Sequence, residues 1–259
     1  MFWSKLSYEE ISSLSKETPV VLFTGAIEQH GKHLPLETDT YIASRLAQSI
    51  DEEIEDKVII LPICPIGYSQ HHATFCGTLT VSHATLINYY LDILKCVIEY
   101  GFKNILIVNT HGGNQSSIGV VAEELGHTYK NCNIAHTSWW RLGGTEFEKL
   151  NESGFGGVGH ACEFETSLIM YLEPGLLRQH SFEIGMNLKI RDKEPKWVAS
   201  DMLRTGKVSL STSIEKQTKN GVFGNPKFAS KKKGEELFSL IISELTTIIG
   251  EFNELSFNG

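Results

Sequence analysis

The sequence predicts a three-layer α/β/α domain with a largely parallel central sheet, and three observations carry that reading. Short β-branched and aromatic runs recur at 19–23, 58–64, 104–108 and 133–137, each the length of a buried strand. Stretches of helical apolar spacing lie between them, and parallel neighbours need crossovers of about that size, which puts helices on both faces. Polar clusters follow two of the strands directly, where α/β sheets gather their sites. At 259 residues the chain suits one undivided domain, 1–259.

Each element has its own grounds. Pro19 to Phe23 ends at Gly25 and feeds a loop. From Thr38 to Ile50 the apolar positions Ile42, Leu46 and Ile50 keep helical period, with Thr38 or Asp39 as N-cap. Val58 to Cys64 forms a second strand. Ile87, Tyr90, Leu91, Leu94 and Ile98 mark a helix over 85–100 that Gly101 stops. Strand 104–108, helix 115–129 and strand 133–137 follow. The stretch 175–225 has weak periodicity and several turn residues, and is expected as loops covering the site. A final amphipathic helix, 229–252, runs through Leu237, Ile241, Leu245, Ile248 and Phe252.

Composition narrows the function classes. A net charge of -8 and a pI near 5.7 oppose nucleic-acid binding, which needs a basic surface. The one basic run, Lys231 to Lys233, is expected as a solvated helix start. Cys64, Cys76, Cys96, Cys132 and Cys162 are scattered and lack a C-x-x-C pair, as befits reduced thiols, mostly core residues, in a cytoplasmic protein. No window approaches ~18 consecutive apolar residues, and residues 1–16 carry acids without an apolar core segment, so neither membrane insertion nor export is expected.

Three constellations carry chemistry. The first runs Glu28-Gln29-His30-Gly31-Lys32-His33-Leu34-Pro35-Leu36-Glu37-Thr38-Asp39, dense in the carboxylates and imidazoles that zinc, manganese and iron(II) share as ligands. The second, Asn109-Thr110-His111-Gly112-Gly113-Asn114, places a histidine at a strand end beside glycines that allow close backbone approach. The third is His160-Ala161-Cys162-Glu163-Phe164-Glu165-Thr166-Ser167. Its two acids stand two apart and point in different directions, so one of them reaches a metal and the residues alone leave open which. Gly154 to Gly159 satisfies G-x-G-x-x-G, but it follows Asn151-Glu152-Ser153 and no strand, so a dinucleotide site is set aside. Neither a G-x-S-x-G elbow nor a P-loop occurs.

Together the three constellations resemble the creatininase family, whose pattern runs E-Q-H-G-x-H-L-P-x-x-x-D, then H-G-G-N, then H-x-x-x-x-E-T-S. The likeness extends to Gly67-Tyr68-Ser69, His71-His72, Phe75, Gly77-Thr78, Gly221-Val222, Gly224-Asn225-Pro226, Ala229-Ser230 and Lys233-Gly234. It implies a creatininase-like fold, commonly assembled as a homohexamer, with two divalent ions per chain, zinc, manganese or iron. Asp39 would bridge them, with Glu28 and His111 on one and His30 and Glu165 on the other. A water bridging the ions would be the nucleophile, and His160 would shuttle a proton to the leaving nitrogen. His72, Trp139 and Trp140 would line the substrate, the tryptophans as an aromatic wall. The family's creatinine-cleaving members have H-Y-E-N where this chain has His111-Gly112-Gly113-Asn114, and a creatinine-sandwiching tryptophan falls near Gly156, so a substrate other than creatinine is expected. The implied activity is hydrolysis of a non-peptide C–N bond in a small cyclic amide or formamide. The alternatives are a peptidase trimming a cofactor-precursor peptide and a metal-binding protein that has lost catalysis.

Overall fold

The structure, a computed structural model, describes residues 1–154, 156–185, 201–204 and 207–255. Four parallel strands, β1 (Val20–Thr24), β2 (Ile59–Ile60), β3 (Asn104–Asn109) and β4 (Asn133–Ser138), stand in the order β2-β1-β3-β4. Val21 pairs with Leu106, and Leu106 with Ala135.

β1, β2 and the interior of β3 are apolar at consecutive positions because both sheet faces are covered there, whereas the edge strand β4 is half-buried and carries polar residues, His136 among them exposed. Val21, Phe23, Leu106 and Val108 point into one core, shared with Ile42 and Leu46 of α2 (Thr38–Ile54), Leu168 of α7 (Glu163–Leu172), and Leu237, Ile241 and Leu245 of α8 (Lys231–Asn253). Val20, Leu22, Ile105 and Ile107 point into the other, against Tyr90 and Leu94 of α3 (His83–Glu99) and Val121 and Leu125 of α4 (Gln115–Thr128). Fully burying each such aliphatic side chain contributes roughly 1.5–3 kcal/mol. This is the expected three-layer α/β/α arrangement.

Elsewhere the chain departs from the expectation. The second strand shrinks to Ile59–Ile60, and beyond it only Cys64 keeps a bridge, to Thr24. Pro62 interrupts the run and Pro65 follows it directly, and proline has no N–H to give a ladder. Short elements absent from the expectation also form: α1 (Tyr8–Ser13), α5 (Trp139–Leu142), α6 (Gly144–Leu150) and an antiparallel pair of β5 (Val158–His160) with β6 (Phe223–Gly224). The expected covering loops at 175–225 fall partly outside the described residues. The G-x-G-x-x-G run leads into β5, its last two residues Val158 and Gly159 lying in that strand, and it opens no helix; its Phe155 is outside the described residues.

Two smaller expectations change. Lys231 and Lys232 are exposed, but Lys233 is buried, its ammonium donating to the Glu152 and Glu163 carboxylates and to the Phe228 carbonyl. Position decides this: Lys233 stands on the face of α8 that meets α7, a contact close enough that a Cβ on Gly234 would strike the Ser167 carbonyl. All five cysteines are free, yet only Cys64 and Cys162 are buried, Cys76 and Cys96 being exposed.

Candidate metal centre

The sheet's carboxyl rim assembles the cluster. Glu28 and His30 sit in the loop leaving β1, Asp39 in the first turn of α2, and His111 just beyond β3. An acid in the first turn of a helix is favoured by the open N–H groups there. His160 closes β5, and Glu165 stands in the first turn of α7. Between them Ala161 takes φ +50°, a left-handed conformation that costs a non-glycine residue about 1–2 kcal/mol. That turn lets strand and helix deliver two side chains to one centre.

Asp39 stands in the middle. Its Oδ1 lies 3.3 Å from His30 Nε2, and its Oδ2 lies 3.0 Å from His111 Nδ1. Glu28 Oε1 is 3.3 Å from His111 Nδ1, 3.4 Å from His160 Nδ1 and 3.5 Å from His72 Nε2. Glu165 Oε1 is 3.9 Å from His30 Nε2, while its other oxygen accepts the Cys162 N–H at 3.3 Å. Glu28 and His30 are fully buried, and Asp39, His111 and Glu165 nearly so. Glu163 is also buried but turns away, accepting from Lys233, the Ser153 hydroxyl and the backbone N–H groups of Glu152 and Ser153.

Hydrogen bonds at the outer ring nitrogens set the tautomers. His30 Nδ1 lies 3.1 Å from the Glu28 carbonyl and His111 Nε2 lies 2.9 Å from the Tyr68 carbonyl. A ring nitrogen meets a carbonyl as donor, so each imidazole turns a lone pair inward, the arrangement typical of metal-bound histidine. Asn114 holds the Tyr68 segment in place: its amide donates to the Gly25 carbonyl and its oxygen accepts the Tyr68 N–H, both at 3.0 Å. His160 Nε2 donates to the Gln29 carbonyl at 2.6 Å, leaving Nδ1 as the lone pair facing Glu28.

Both oxygens of Glu28, Nε2 of His30 and Oδ2 of Asp39 are buried with no hydrogen-bond partner among the described residues. Each such orphan costs roughly 1–3 kcal/mol, more when charged, unless something else satisfies it. The donor set of three carboxylates and inward-facing imidazoles fits divalent cations. Titration gives the same sign. Burial opposes the cationic form of His30, yet the Asp39, Glu165 and Glu28 carboxylates outweigh it and push its pKa up to about 9. Burial likewise opposes His111, and Glu28 and Asp39 hold it well above the usual imidazole range. Burial pushes Glu165 up to about 7, and burial together with the charge of His30 pushes His160 down to about 3. His30, His111 and Glu165 thus favour taking up positive charge, whereas His160 at the margin of the cluster stays neutral.

A cavity of about 450 Å³ opens above Glu28, Asp39 and Glu165. Trp140, Met202, Leu210, Ile214 and Phe223 form its apolar wall, and His72 and His160 line it beside Glu28. Trp139 does not face it. That ring is fully buried and packs edge-on against Trp140 at 5.7 Å and near Phe147 at 6.2 Å, so the expected wall of two tryptophans reduces to Trp140. Successive residues of a helix diverge by about 100°, and α5 turns one indole into the core and the next toward the cavity. The sequence reading also missed His71, which lies within ligand range of Glu28 and His111, and Gln29, whose amide nitrogen meets His72 Nδ1 at 2.6 Å. Gln29 lay within the quoted run, but nothing in its residue type told a positioning group from a solvated loop residue.

A parallel sheet whose carboxyl rim gathers buried acids and inward-turned imidazoles defines the class: an α/β protein built around a candidate metal centre. Residues 4–249 match the Creatininase family, described as creatinine amidohydrolase, and the chain belongs to that family. A mycofactocin precursor peptide peptidase of Mycobacterium tuberculosis is 25% identical over 248 residues, covering 90% of this chain and 85% of the relative. A 2-amino-5-formylamino-6-ribosylaminopyrimidin-4(3H)-one 5'-monophosphate deformylase of Methanothermus fervidus is 32% identical over 131 residues, 47% of this chain and 51% of the relative. A mutant creatininase of Zn-Zn type superposes with a TM-score of 0.77 at 22% identity, covering 97% of this chain and 98% of that one.

Proposed function

We propose that this creatininase-family chain hydrolyses a non-peptide C–N bond, in a cyclic amide or formamide, at a centre of two divalent ions. The observation that carries the reading is Asp39, with one oxygen toward His30 and the other toward His111, the posture of a carboxylate shared between two cations. Glu28, Asp39 and His111 would hold one ion, and His30, Asp39 and Glu165 the other. Three buried carboxylates exceed the charge that one divalent ion neutralises, which favours a pair. Zinc, manganese and iron(II) all suit this donor set, and the Zn-Zn form of the structural neighbour agrees with the first. When bound, such ions make water nucleophilic at neutral pH and polarise a carbonyl.

The chain's own residues supply the rest. His160 turns its Nδ1 toward the centre while Nε2 is held by the Gln29 carbonyl, the placement from which it would carry a proton from the attacking water to the leaving nitrogen. Gln29 fixes that imidazole by its carbonyl and orients His72 by its amide. Trp140 offers a face against which a flat amide packs. The homohexamer implied by the family resemblance belongs to the same proposal and is read by sedimentation.

A second reading, peptide trimming, is favoured by one finding: the peptidase match covers nearly the whole chain, whereas the deformylase match covers under half. Elemental analysis of the purified protein, then a screen of formamides, lactams, cyclic ureas and short peptides with each metal restored, separates the two. About two metals per chain and turnover confined to non-peptide amides are expected. One equivalent at full loading would end the binuclear reading, and cleavage of peptides alone would favour the second.

A further inference from the structure

Arg141 is the cation that the cavity does not explain. It follows Trp140 on α5, is exposed, and lines two neighbouring cavities. One is the cavity above the acids. The other, about 240 Å³, is lined by Ser116 in the first turn of α4 and by His136, Thr137 and Ser138 at the carboxyl end of β4, and it shares Gln115 as well as Arg141 with the first. Among the described residues Arg141 makes neither a hydrogen bond nor an ion pair. Arg45 is bonded to Gln48, Arg178 to the Leu176 carbonyl, and Arg204, also on the wall of the larger cavity, stands 3.6 Å from Glu148.

Its guanidinium is thus uncommitted among the described residues, on a wall shared by two cavities. Here it borders hydroxyl groups and a histidine, and its own charge helps hold His136 below the usual imidazole range, after burial. A planar guanidinium beside hydroxyl donors is the recognition chemistry of a phosphate or carboxylate. The reacting centre holds the opposite charge pattern, three acids that take cations. A substrate that fits both ends is neutral where it reacts and anionic some way off.

We propose that the substrate carries an anionic group, a phosphate or a carboxylate, that Arg141 binds where the two cavities meet. This rests on the amidohydrolase reading above, and it makes Arg141 a determinant of which amide is accepted. The apolar wall around Trp140 then receives the body of the molecule between its two polar ends, and the combined space lies within the roughly 300–1,000 Å³ of ordinary ligand sites.

The test compares wild type with Arg141→Gln and Arg141→Lys, all metal-loaded and checked by elemental analysis. Three formamides serve as probes: N-formylaniline, N-formyl-4-aminobenzoate and N-formyl-4-aminophenyl phosphate. Comparing the preference for each anionic probe over the neutral one between proteins cancels the intrinsic reactivity of the amides. A charge-assisted hydrogen bond supports a drop of roughly 10- to 100-fold in that preference for Arg141→Gln, expressed in KM, with partial recovery in Arg141→Lys. A drop for the carboxylate probe alone or the phosphate probe alone identifies the group. An unchanged preference in Arg141→Gln overturns the proposal. If wild type turns over none of the three, the hydrolase reading is what has failed for formamides, and calorimetry with phenyl phosphate and benzoate decides the anion site alone: weaker binding of either to Arg141→Gln supports it, and equal binding refutes it.

Discussion

Glu163 and Glu165 differ by two positions and by everything they touch, so replacing each with glutamine makes the sharpest test of the site. They open α7 about 200° apart around the helix, and so face opposite ways. Glu163 accepts from two backbone N–H groups, one hydroxyl and the buried Lys233 ammonium. Glu163→Gln leaves Lys233 with Glu152, a mostly exposed partner, and breaking such a buried pair costs about 3–5 kcal/mol. For a chain of this size each kcal/mol moves Tm by about 2–3 °C, so Tm should fall by roughly 6–15 °C while metal content is unchanged. Glu165→Gln should do the reverse. Its carboxyl is raised to about 7 from an ordinary 4.5, so ionising it in the metal-free fold destabilises increasingly as pH rises from 4.5 to about 7. The metal-free variant should therefore be at least as stable as metal-free wild type at pH 7, yet lose one ion preferentially. Thermal unfolding and elemental analysis on the same samples decide it. Metal loss from Glu163→Gln at wild-type Tm, or full loading of Glu165→Gln, would refute the placement of the two acids.

Two further outcomes are expected. His160→Ala should keep its metals and lose about two to four orders of magnitude in kcat, with a smaller loss for substrates whose leaving group needs no proton; metal content and rate from one sample check it, and lost metal would make His160 a ligand. His33, buried with Nε2 3.0 Å from the Thr166 hydroxyl, is pushed down by burial and the charge of His30 to about 4 from 6.5. The unfolded chain therefore takes up a proton that the folded one refuses, and stability present above pH 6.5 is lost as pH falls toward 4, by about 3 kcal/mol. Denaturant titrations of metal-free protein should give His33→Gln the flatter profile across that window, and parallel profiles would remove His33 as the cause.

The inner strands β1 and β3 were legible in the sequence because strands covered on both faces must be apolar at consecutive positions, which shows without any partner in view; the half-buried edge strand β4 carries that signal only weakly. Helix limits were nearly as plain, since period and stop residues are local. The strand at 58–64 was overread because an apolar run passes over Pro62 as a harmless interruption, whereas a ladder needs its missing N–H group. In the site, ligand types and their neighbourhood after strand ends could be read directly. Which of Trp139 and Trp140 faces the cavity could not, because α5 is too short for a period to establish itself. Lys233 had the same difficulty: a run of three lysines looks uniformly solvated until another helix is laid against one face of it. His71 and Arg141 gain meaning only from residues far away in the chain.

Gly113 shows how such a site constrains its own evolution. A Cβ at this position would fall 2.1 Å from the Tyr68 carbonyl and 2.5 Å from His111 Nε2, the two atoms whose hydrogen bond turns the His111 lone pair inward. The neighbouring Gly112 has open space around it. Passing from the H-G-G-N form to an acid-bearing H-Y-E-N form is therefore not two equivalent substitutions. A residue at 112 can change first and alone, but any side chain at 113 must wait for the 67–69 segment to move, and that segment is tied to the rim through Asn114. In this backbone an acid at 113 collides with the carbonyl and the ring nitrogen that orient His111, so grafting it into this chain alone should cost it the His111 ligand.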